Sequence, residues 1–388
     1  MVCVLASMAL FPAMATDLYL PAFPNIAHDY GVSSSDLQIT LGASFLGLAI
    51  GQPLWGPISD RFGRKGPAIL GSVLFIFGSL ASSMAQNVAL LSAGRAVQAL
   101  GGAASVLIGR AIVRDLFQGK EMARTLSLVA SIFMIGPIVA PSLGALILQV
   151  SDWRGVFYAL AAFGFLVILG ILTLPESLPK GSRNRNDVRS AILQYGRIWR
   201  DSDFRFAAMQ ISTNTLILFT YVASSPSVMM QGYGVSQQLF GVLFGANAAV
   251  ILLGTQLNRW LLKRLEVATV LKRMVIGQFV AATLLCVFGL LLHQLWIVVA
   301  LLMFTTIYSP SVAGNATTLA LQNFKNNAAQ AAAMVGVVQG ISAAATATIL
   351  TALPGDSQTK MLLGLFGFST IAQLVLFVRG RYSRRLAR

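Results

Sequence analysis

Long apolar stretches separated by short polar segments dominate the chain. Each stretch holds roughly 20 or more mostly apolar residues, the length that a helix needs to cross the hydrocarbon core of a bilayer. The stretches are residues 3–24, 37–59, 66–85, 88–112, 122–148, 154–174, 204–230, 236–258, 269–291, 294–320, 328–353 and 359–379. They are too long for barrel strands and lack strict alternation. The pattern therefore predicts an all-α membrane protein with twelve transmembrane helices.

The composition favours the same class. Of the 388 residues, 56% are hydrophobic and 11% are charged, with a mean hydropathy of +0.74. Soluble domains carry about 25% charged residues, so this chain cannot cover its surface in water. The first apolar stretch begins near Met1 without a cleavable signal pattern, and we interpret it as a true span. A basic cytosolic tail ahead of it would fit the pattern.

The positive charges predict the orientation. The net charge is +15, and 25 of the 28 Lys and Arg residues fall on one side if both termini are cytoplasmic. Only Arg154 and Lys360 lie on the other side, and Arg95 lies within a span. Because cytoplasmic loops are rich in Lys and Arg, the charge indicates topology and contact with anionic lipid. We therefore expect no nucleic-acid partner.

A long polar segment divides the spans into six and six. We predict an N-terminal six-helix bundle at 1–174, a cytoplasmic linker at 175–203, and a C-terminal six-helix bundle with a basic tail at 204–388. Two halves joined by such a linker are typical of secondary transporters built from repeats.

The sequence GPISDRFGRK at 56–65, here called the clasp, joins the second and third stretches. Asp60 falls at the C-terminal, negative end of a predicted helix, so we expect a cationic partner beside it. Gly63 permits a tight turn, and Arg64 lies four residues after Asp60. The alternative is a solvated loop whose arginines only fix topology.

The clasp resembles the loop signature of the major facilitator superfamily, G-x-x-x-D-R-x-G-R-K. The corresponding segment of the second half, 258–267, keeps positive charge but lacks the pattern. The resemblance implies a cytoplasmic gate formed by Gly56, Asp60, Arg61, Gly63, Arg64 and Asp115. Asp115 would meet Arg61 or Arg64, unless the pair is exposed and weak.

Two opposite charges fall inside predicted spans. Asp17 in the first stretch and Arg95 in the fourth each lie ~10 Å deep, at 1.5 Å per residue. Ionisable groups in hydrocarbon are costly and mark functional sites, and burial suits Asp17 to binding a proton. We expect the two to pair and to couple proton binding to cargo. The alternatives are a static structural pair, or an early helix end that leaves Asp17 as a periplasmic cap.

The remaining candidate residues are uncharged. We expect Asp17, Tyr19, Gln98, Asn214, Tyr221 and Asn247 to contact cargo. Any one intramembrane polar residue is more often a contact between helices. In the fifth stretch, Pro137 and Pro141 should bend the helix, and Gly136 and Gly144 should allow close packing.

Several segments together resemble the Bcr/CflA group of drug/H⁺ antiporters. They are residues 16–21, 56–65, 95–102, 114–115 and 136–144, although the last ends in Gly144-Ala145 where relatives often have Gly-Gly. The resemblance implies a monomeric, proton-driven exporter of small amphipathic molecules in the inner membrane of a bacterium. It would need no cofactor or metal.

One departure from that group concerns the cargo. Some multidrug relatives carry a second acid about two turns before Asp17, where this chain has Ala9. This makes neutral or anionic cargo more plausible than cationic drugs, for example phenicols, nucleosides or a siderophore.

Other functions stay open at this point. The chain could import a nutrient with protons, export one dedicated metabolite, or be a transport-inactive sensor. An enzyme is not expected, because no nucleophile–base pair or metal cluster is visible. Cys3 and Cys286 lie in apolar stretches, and His28 and His293 lie in short loops.

Overall fold

The computed structural model describes residues 1–179, 181, 196–324 and 328–386, and within these ranges it contains helices but no strand. Most of the predicted linker lies outside the described residues. The helices are α1 (Val2–Asp17), α2 (Phe23–Tyr30), α3 (Gln38–Phe62), α4 (Lys65–Ser83), α5 (Val88–Leu116), α6 (Gly119–Val150), α7 (Arg154–Thr173), α8 (Ser202–Pro226), α9 (Gln237–Leu262), α10 (Val267–Leu292), α11 (Leu295–Thr306), α12 (Ser309–Leu321), α13 (Ala328–Ala352) and α14 (Ser357–Leu386).

The helices confirm the prediction of an all-α, multi-pass membrane protein. Eleven helical segments of the described chain are long and apolar enough to cross a bilayer, among them Val2–Tyr30 and Leu295–Leu321, which each join two helices. The twelfth predicted span is α3, whose 25 residues are long enough. Its glycines, Gln52 and two prolines lower its hydropathy.

The chain forms two compact units. The first is Met1–Val188 with Val235–Gly245, and the second is Arg189–Gly234 with Ala246–Arg388. In the first unit, α5 packs against α1, α3 and α4, while α1 also packs against α6. In the second unit, α8 packs against α12, α13 and α14, around a core that includes Phe204, Leu271 and Val312.

The first residues of α9 belong to the first unit. They pack closely against α6 because Gly241 and Gly245 of α9 have no side chains. A Cβ on Gly245 would lie 2.6 Å from the carbonyl oxygen of Ile138, and one on Gly241 would lie 3.1 Å from backbone atoms of Ser142. Real Cβ atoms essentially never come that close to a carbonyl oxygen. The absence of side chains at these positions therefore permits backbone contact with the proline-containing stretch of α6.

The first span is interrupted directly after Asp17. Pro21 and Pro24 have no backbone N–H, so the carbonyls of Asp17 and Leu20 lose their usual helical donors. Accordingly α1 ends at Asp17, a 3₁₀ turn covers Leu20–Ala22, and α2 continues to Tyr30. The span thus ends later than the predicted residue 24, which places Asp17 near its middle.

Glycines bring α3 and α4 against the backbone of α5. A Cβ on Gly47 of α3 would lie 2.2 Å from the carbonyl oxygen of Ala96. On α4, a Cβ on Gly78 would lie 2.3 Å from the amide nitrogen of Gln98. The segment of α5 that carries Arg95 is therefore held between two neighbouring helices at backbone distance.

The clasp closes one end of the first unit through Arg64. Gly63 ends α3 with φ +96°, a conformation that side-chain-bearing residues rarely adopt. Arg64 then donates from Nη1 to Asp60 at 2.5 Å and to Ser59 at 2.9 Å, and from Nε to Asp115 at 2.8 Å. The expected cationic partner of Asp60 is thus Arg64, and Asp115 meets the same guanidinium.

Glu176, three residues after the end of α7, contacts the same end of the unit. Its two carboxylate oxygens accept the backbone N–H groups of Arg64 (2.8 Å) and Lys65 (3.2 Å). A carboxylate at a helix N-terminus satisfies free donors and complements the helix dipole. Lys65 in turn donates to the carbonyl oxygens of Leu172 and Leu174. The start of α4 is therefore fastened to the end of α7.

The two arginines of the clasp differ in environment. Arg64 is 8% exposed, whereas Arg61 is exposed and lies 5.4 Å from the ring of Phe62. Burial alone would lower the pKa of Arg64, but its bonds to Asp115 and Asp60 outweigh burial and raise the pKa above its usual value. The guanidinium therefore stays charged.

We predict that Gly47→Ala destabilises the protein by roughly 1–3 kcal/mol, because the added methyl group must push α3 away from Ala96. Thermal unfolding in detergent measures the change. The matched control is Gly66→Ala in the first turn of α4, where a Cβ would meet nothing within 4 Å. Equal midpoints for the two variants would contradict backbone contact between α3 and α5.

We predict that Arg64→Ala lowers the free energy of unfolding by about 1–3 kcal/mol, because Asp115 and Asp60 lose their cation. The lower part of the range reflects the exposure of Asp60, whose side chain is 48% exposed. Arg61→Ala is the control and should change the unfolding midpoint little. Equal losses in both variants would argue for a general charge effect.

Candidate functional site

Arg95 lies fully buried in the first unit, with 0% of its surface exposed. Its Nη1 donates to the carbonyl oxygen of Ala15 at 2.8 Å and to Oε1 of Gln98 at 2.5 Å. Gln98, also 0% exposed, donates onward to Ser79 at 2.7 Å. Nε and Nη2 of Arg95 have no acceptor among the described residues. The guanidinium thus connects α5 to α1 while two of its nitrogens remain unbonded.

The ring of Tyr19 partly compensates for the burial of the Arg95 charge. Its centroid lies 4.6 Å from Cζ of Arg95, and that of Phe157 lies 6.0 Å away. The hydroxyl of Tyr19 bonds with Thr40 on α3 at 3.0 Å. A desolvated cation–π contact contributes about 2 kcal/mol, whereas leaving a buried charge without its partner costs about 3–5 kcal/mol. The aromatic contact therefore does not replace a counter-ion.

Asp17 is the last residue of α1. It follows Ala13 by four residues and Leu10 by seven, so it falls on the same side of the helix as these two. They lie about 3 Å from the position of a Cβ on Gly136 of α6. Asp17 is 6% exposed and forms no hydrogen bond or ion pair with any described residue.

The expected ion pair between Asp17 and Arg95 is therefore absent from the described residues. Similar depth in the membrane does not by itself bring two side chains on neighbouring helices together. In addition, the first span continues to Tyr30, so Asp17 is deeper than the estimate from residue 24. Both groups are buried in the first unit, but neither has an oppositely charged partner within the part of the chain that the structure describes.

A small cavity adjoins Arg95. Its volume is about 30 Å³, and the walls are mostly apolar, with Phe11, Phe45 and Phe75 among them. The polar lining residues are Arg95, Gln98, Ser44 and Thr16. The cavity lies between α1, α3, α4 and α5, and it can hold only a group of a few atoms.

The Gly-Pro segment at 136–144 of α6 packs closely against α1 and the turn that follows it. α6 is continuous from Gly119 to Val150, through Pro137 and Pro141. A Cβ on Gly144 would lie 2.2 Å from the carbonyl oxygen of Leu18, next to the break after Asp17. These residues therefore bring α6 alongside the stretch that carries Asp17, while the bend itself stays a prediction.

In the second unit, the predicted polar residues bond to neighbouring helices. Asn214 donates to the carbonyl oxygen of Ser309 at 3.3 Å and accepts from Gln278 at 3.2 Å. Asn247 accepts from Thr306 at 2.8 Å. Thr306 and Ser309 flank the break between α11 and α12, so both asparagines stabilise that break. Tyr221 is 2% exposed. A role of Asn214, Asn247 and Tyr221 in cargo binding stays a prediction.

No group of three or more His, Cys, Asp or Glu residues within the described ranges is arranged to hold a metal ion. The sequence prediction missed three residues of functional interest, Glu176, Ser59 and Thr40. Glu176 had a usable signal, because an acid directly follows an apolar stretch where the segment is otherwise basic.

Comparisons with known proteins agree on one family. The family model "Major Facilitator Superfamily" matches residues 5–347. The uncharacterized MFS-type transporter YdgK of Bacillus subtilis is 31% identical over 96% of this chain and 93% of its own length. The bicyclomycin resistance protein homolog of Haemophilus influenzae is 28% identical over 96% and 94%. The multidrug resistance protein MdtL of Salmonella paratyphi C is 29% identical over 97% and 94%.

Solved structures show the same fold. A bacterial homolog of the human lysosomal transporter Spinster matches with TM-score 0.78 at 15% identity, covering 98% of this chain and 96% of that one. A D-xylose-proton symporter matches with TM-score 0.75 at 14% identity, covering 97% and 95%. The family model and the bicyclomycin resistance and MdtL relatives confirm the resemblance to the Bcr/CflA group. The chain belongs to the Major Facilitator Superfamily, and it is a membrane transporter of small molecules and not an enzyme.

Proposed function

We propose that this transporter exports small amphipathic molecules across the bacterial inner membrane in exchange for protons. The observation that carries the proposal is Asp17, a carboxyl group buried near the middle of the first span without a hydrogen-bond or ion-pair partner among the described residues. The names of relatives, bicyclomycin resistance protein homolog and multidrug resistance protein MdtL, support drug-like cargo.

The proton step follows from the environment of Asp17. An ionised carboxyl group costs far more free energy in hydrocarbon than a neutral one. A proton therefore binds Asp17 when the site faces the outside and leaves when water reaches it from the inside. Because ionisation is tolerated only in one of the two states, proton binding biases the equilibrium between them. Net proton entry then drives the change of state that carries cargo out.

The cargo side of the site is formed by Tyr19, Gln98 and Arg95 in the first unit. Tyr19 offers an aromatic ring, Gln98 an amide, and Arg95 unbonded N–H groups beside a cavity. An apolar wall with few polar groups is the chemistry of small-molecule sites, and the cavity of about 30 Å³ would have to widen before it could admit a cargo molecule. Asn214, Tyr221 and Asn247 remain candidate cargo contacts, although the observed bonds of the two asparagines also suit a structural role.

The clasp is the proposed cytoplasmic gate. Arg64 links α3 to the end of α5 through Asp60 and Asp115. These bonds stabilise the closed arrangement of the helix ends, and the exposed position of Asp60 allows them to break. Gly56, Gly63 and Arg61 complete the motif, with Gly63 providing the turn.

Export is tested with everted membrane vesicles that have an acid interior. Cargo should accumulate inside such vesicles when the transporter is present, because export from the cell is directed into them. A proton-coupled importer would not accumulate cargo under this gradient. A transporter dedicated to one metabolite would do so with that metabolite alone.

We predict that Asp17→Asn reduces proton-driven accumulation at least about tenfold, because the amide cannot exchange a proton. Uptake into everted vesicles and the accompanying alkalinisation of their interior are both measured. The exposed Asp152→Asn variant is the matched control and should transport as the wild type does. If Asp17→Asn is inserted normally and exports at the wild-type rate, the coupling role is wrong.

We also propose that the transporter is monomeric. A separate proposal is that both of its termini lie in the cytoplasm, as the distribution of Lys and Arg supports. A green fluorescent protein joined after Arg388 should fluoresce, and alkaline phosphatase at the same position should be inactive. Phosphatase joined after Ser33, between α2 and α3, serves as the control and should be active. The reverse pattern would invert the topology.

A further inference from the structure

The second unit has a groove where four of its helices reach the same side of the membrane-spanning region. The groove lies between the first turns of α8 and α10, the end of α12 and the residues of α14 that precede Arg379, and its volume is about 360 Å³. The apolar spans Ser202–Gly232, Leu295–Leu321 and Ser357–Arg379 each end at this groove. It is therefore level with one surface of the membrane, and the distribution of Lys and Arg assigns that surface to the cytoplasm.

The helices around the groove present apolar side chains to the lipid. On α10, the face that carries Lys272 continues along the helix with residues that are apolar and 37–48% exposed, namely Ile276, Val280 and Val287. On α14, Phe377 and Val378 are 55% and 64% exposed directly before Arg379. In a membrane-spanning helix such faces contact acyl chains. The groove is thus found where lipid-facing helices reach the level of the lipid headgroups.

The walls of the groove combine apolar and charged groups. Leu271, Leu319, Leu376 and Phe206 supply the apolar part. The volume lies within the range of small-molecule pockets, roughly 300–1,000 Å³. A phosphate group and the glycerol attached to it can therefore enter, while the acyl chains continue along the exposed faces of α10 and α14.

The charge that remains unpaired in the groove is positive. Asp203 is already engaged through both oxygens, since Oδ1 accepts from Arg379 at 2.5 Å and Oδ2 accepts from Asn323 at 3.2 Å. Arg379 uses only Nη2 in that bond, and its Cζ lies 4.3 Å from the ring centroid of Phe206. Lys272 is exposed and forms no hydrogen bond or ion pair with any described residue. An anion is therefore the charge that complements the groove.

We propose that this groove binds an anionic phospholipid of the cytoplasmic leaflet, such as phosphatidylglycerol. Its phosphate lies between Lys272 and the free N–H groups of Arg379, and its glycerol and first methylene groups lie against Leu271, Leu319 and Leu376. Basic pockets between helices at the cytoplasmic surface are suited to such headgroups. The lipid then bridges α10 and α14 and stabilises the second unit, whatever cargo the transporter carries.

The test on the wild-type protein is a lipid titration followed by native mass spectrometry of the full chain in detergent. Phosphatidylglycerol should bind at least about fivefold more tightly than phosphatidylcholine with the same acyl chains, because choline cancels the charge of the phosphate. Inorganic phosphate in large molar excess should not displace phosphatidylglycerol, since it lacks the apolar part. These comparisons do not depend on whether a variant folds.

Variants then locate the site. Lys272→Gln should weaken phosphatidylglycerol binding about fivefold, the usual contribution of one basic residue at a membrane surface. Arg273→Gln is the matched control, because this residue is exposed on the same helix and removes the same charge without lining the groove. It should weaken binding less than about twofold. Ala268→Phe should weaken binding as Lys272→Gln does, because it narrows the groove and leaves every charge in place.

Four results would overturn the proposal. They are no binding of phosphatidylglycerol, equal affinity for the two lipids, displacement by inorganic phosphate, and equal losses in Lys272→Gln and Arg273→Gln. Displacement by phosphate would indicate a site for free anions, and equal losses would indicate general attraction to the basic surface. The measurement involves neither cargo nor a proton gradient, so its outcome is independent of the proposed function.

Discussion

The hydrogen bond from Arg95 to the carbonyl oxygen of Ala15 explains much of the first unit. It joins α5 to α1 inside the membrane-spanning region, where a charged side chain is tolerated only with strong compensation. Tyr19, Gln98 and Thr40 are arranged around it, and the glycines of α3 and α4 let both helices reach the backbone of α5. The positions of these helices therefore fix where the guanidinium lies.

The fold followed from the sequence because span length and the distribution of charge are both direct consequences of the bilayer. The contact of Asp60 with Arg64 was equally predictable, since the helix dipole and the four-residue spacing act locally. The partner of Arg95 could not be predicted in this way. Whether Asp17 meets Arg95 depends on rotation about the axis of α1 and on the packing of α6, and spacing along the chain specifies neither.

The candidate cargo residues also differ in how well the sequence predicted their contacts. Arg95 and Gln98 were expected from their charge and polarity within a span, and they do contact each other. Asn214 and Asn247 were expected to share one task, but each bonds near a different side of the break between α11 and α12. A single sequence cannot distinguish an amide that stabilises a helix break from one that binds cargo, because both are buried polar groups.

The bond between Glu176 and the first turn of α4 has a structural consequence. Arg64 binds Glu176 through its backbone N–H, and it binds Asp60 and Asp115 through its guanidinium. One residue therefore ties together the ends of α3, α4 and α5 and the segment after α7. Removing the Arg64 side chain would leave the contact with Glu176 in place, whereas removing the Glu176 carboxylate would free two backbone donors at the start of α4.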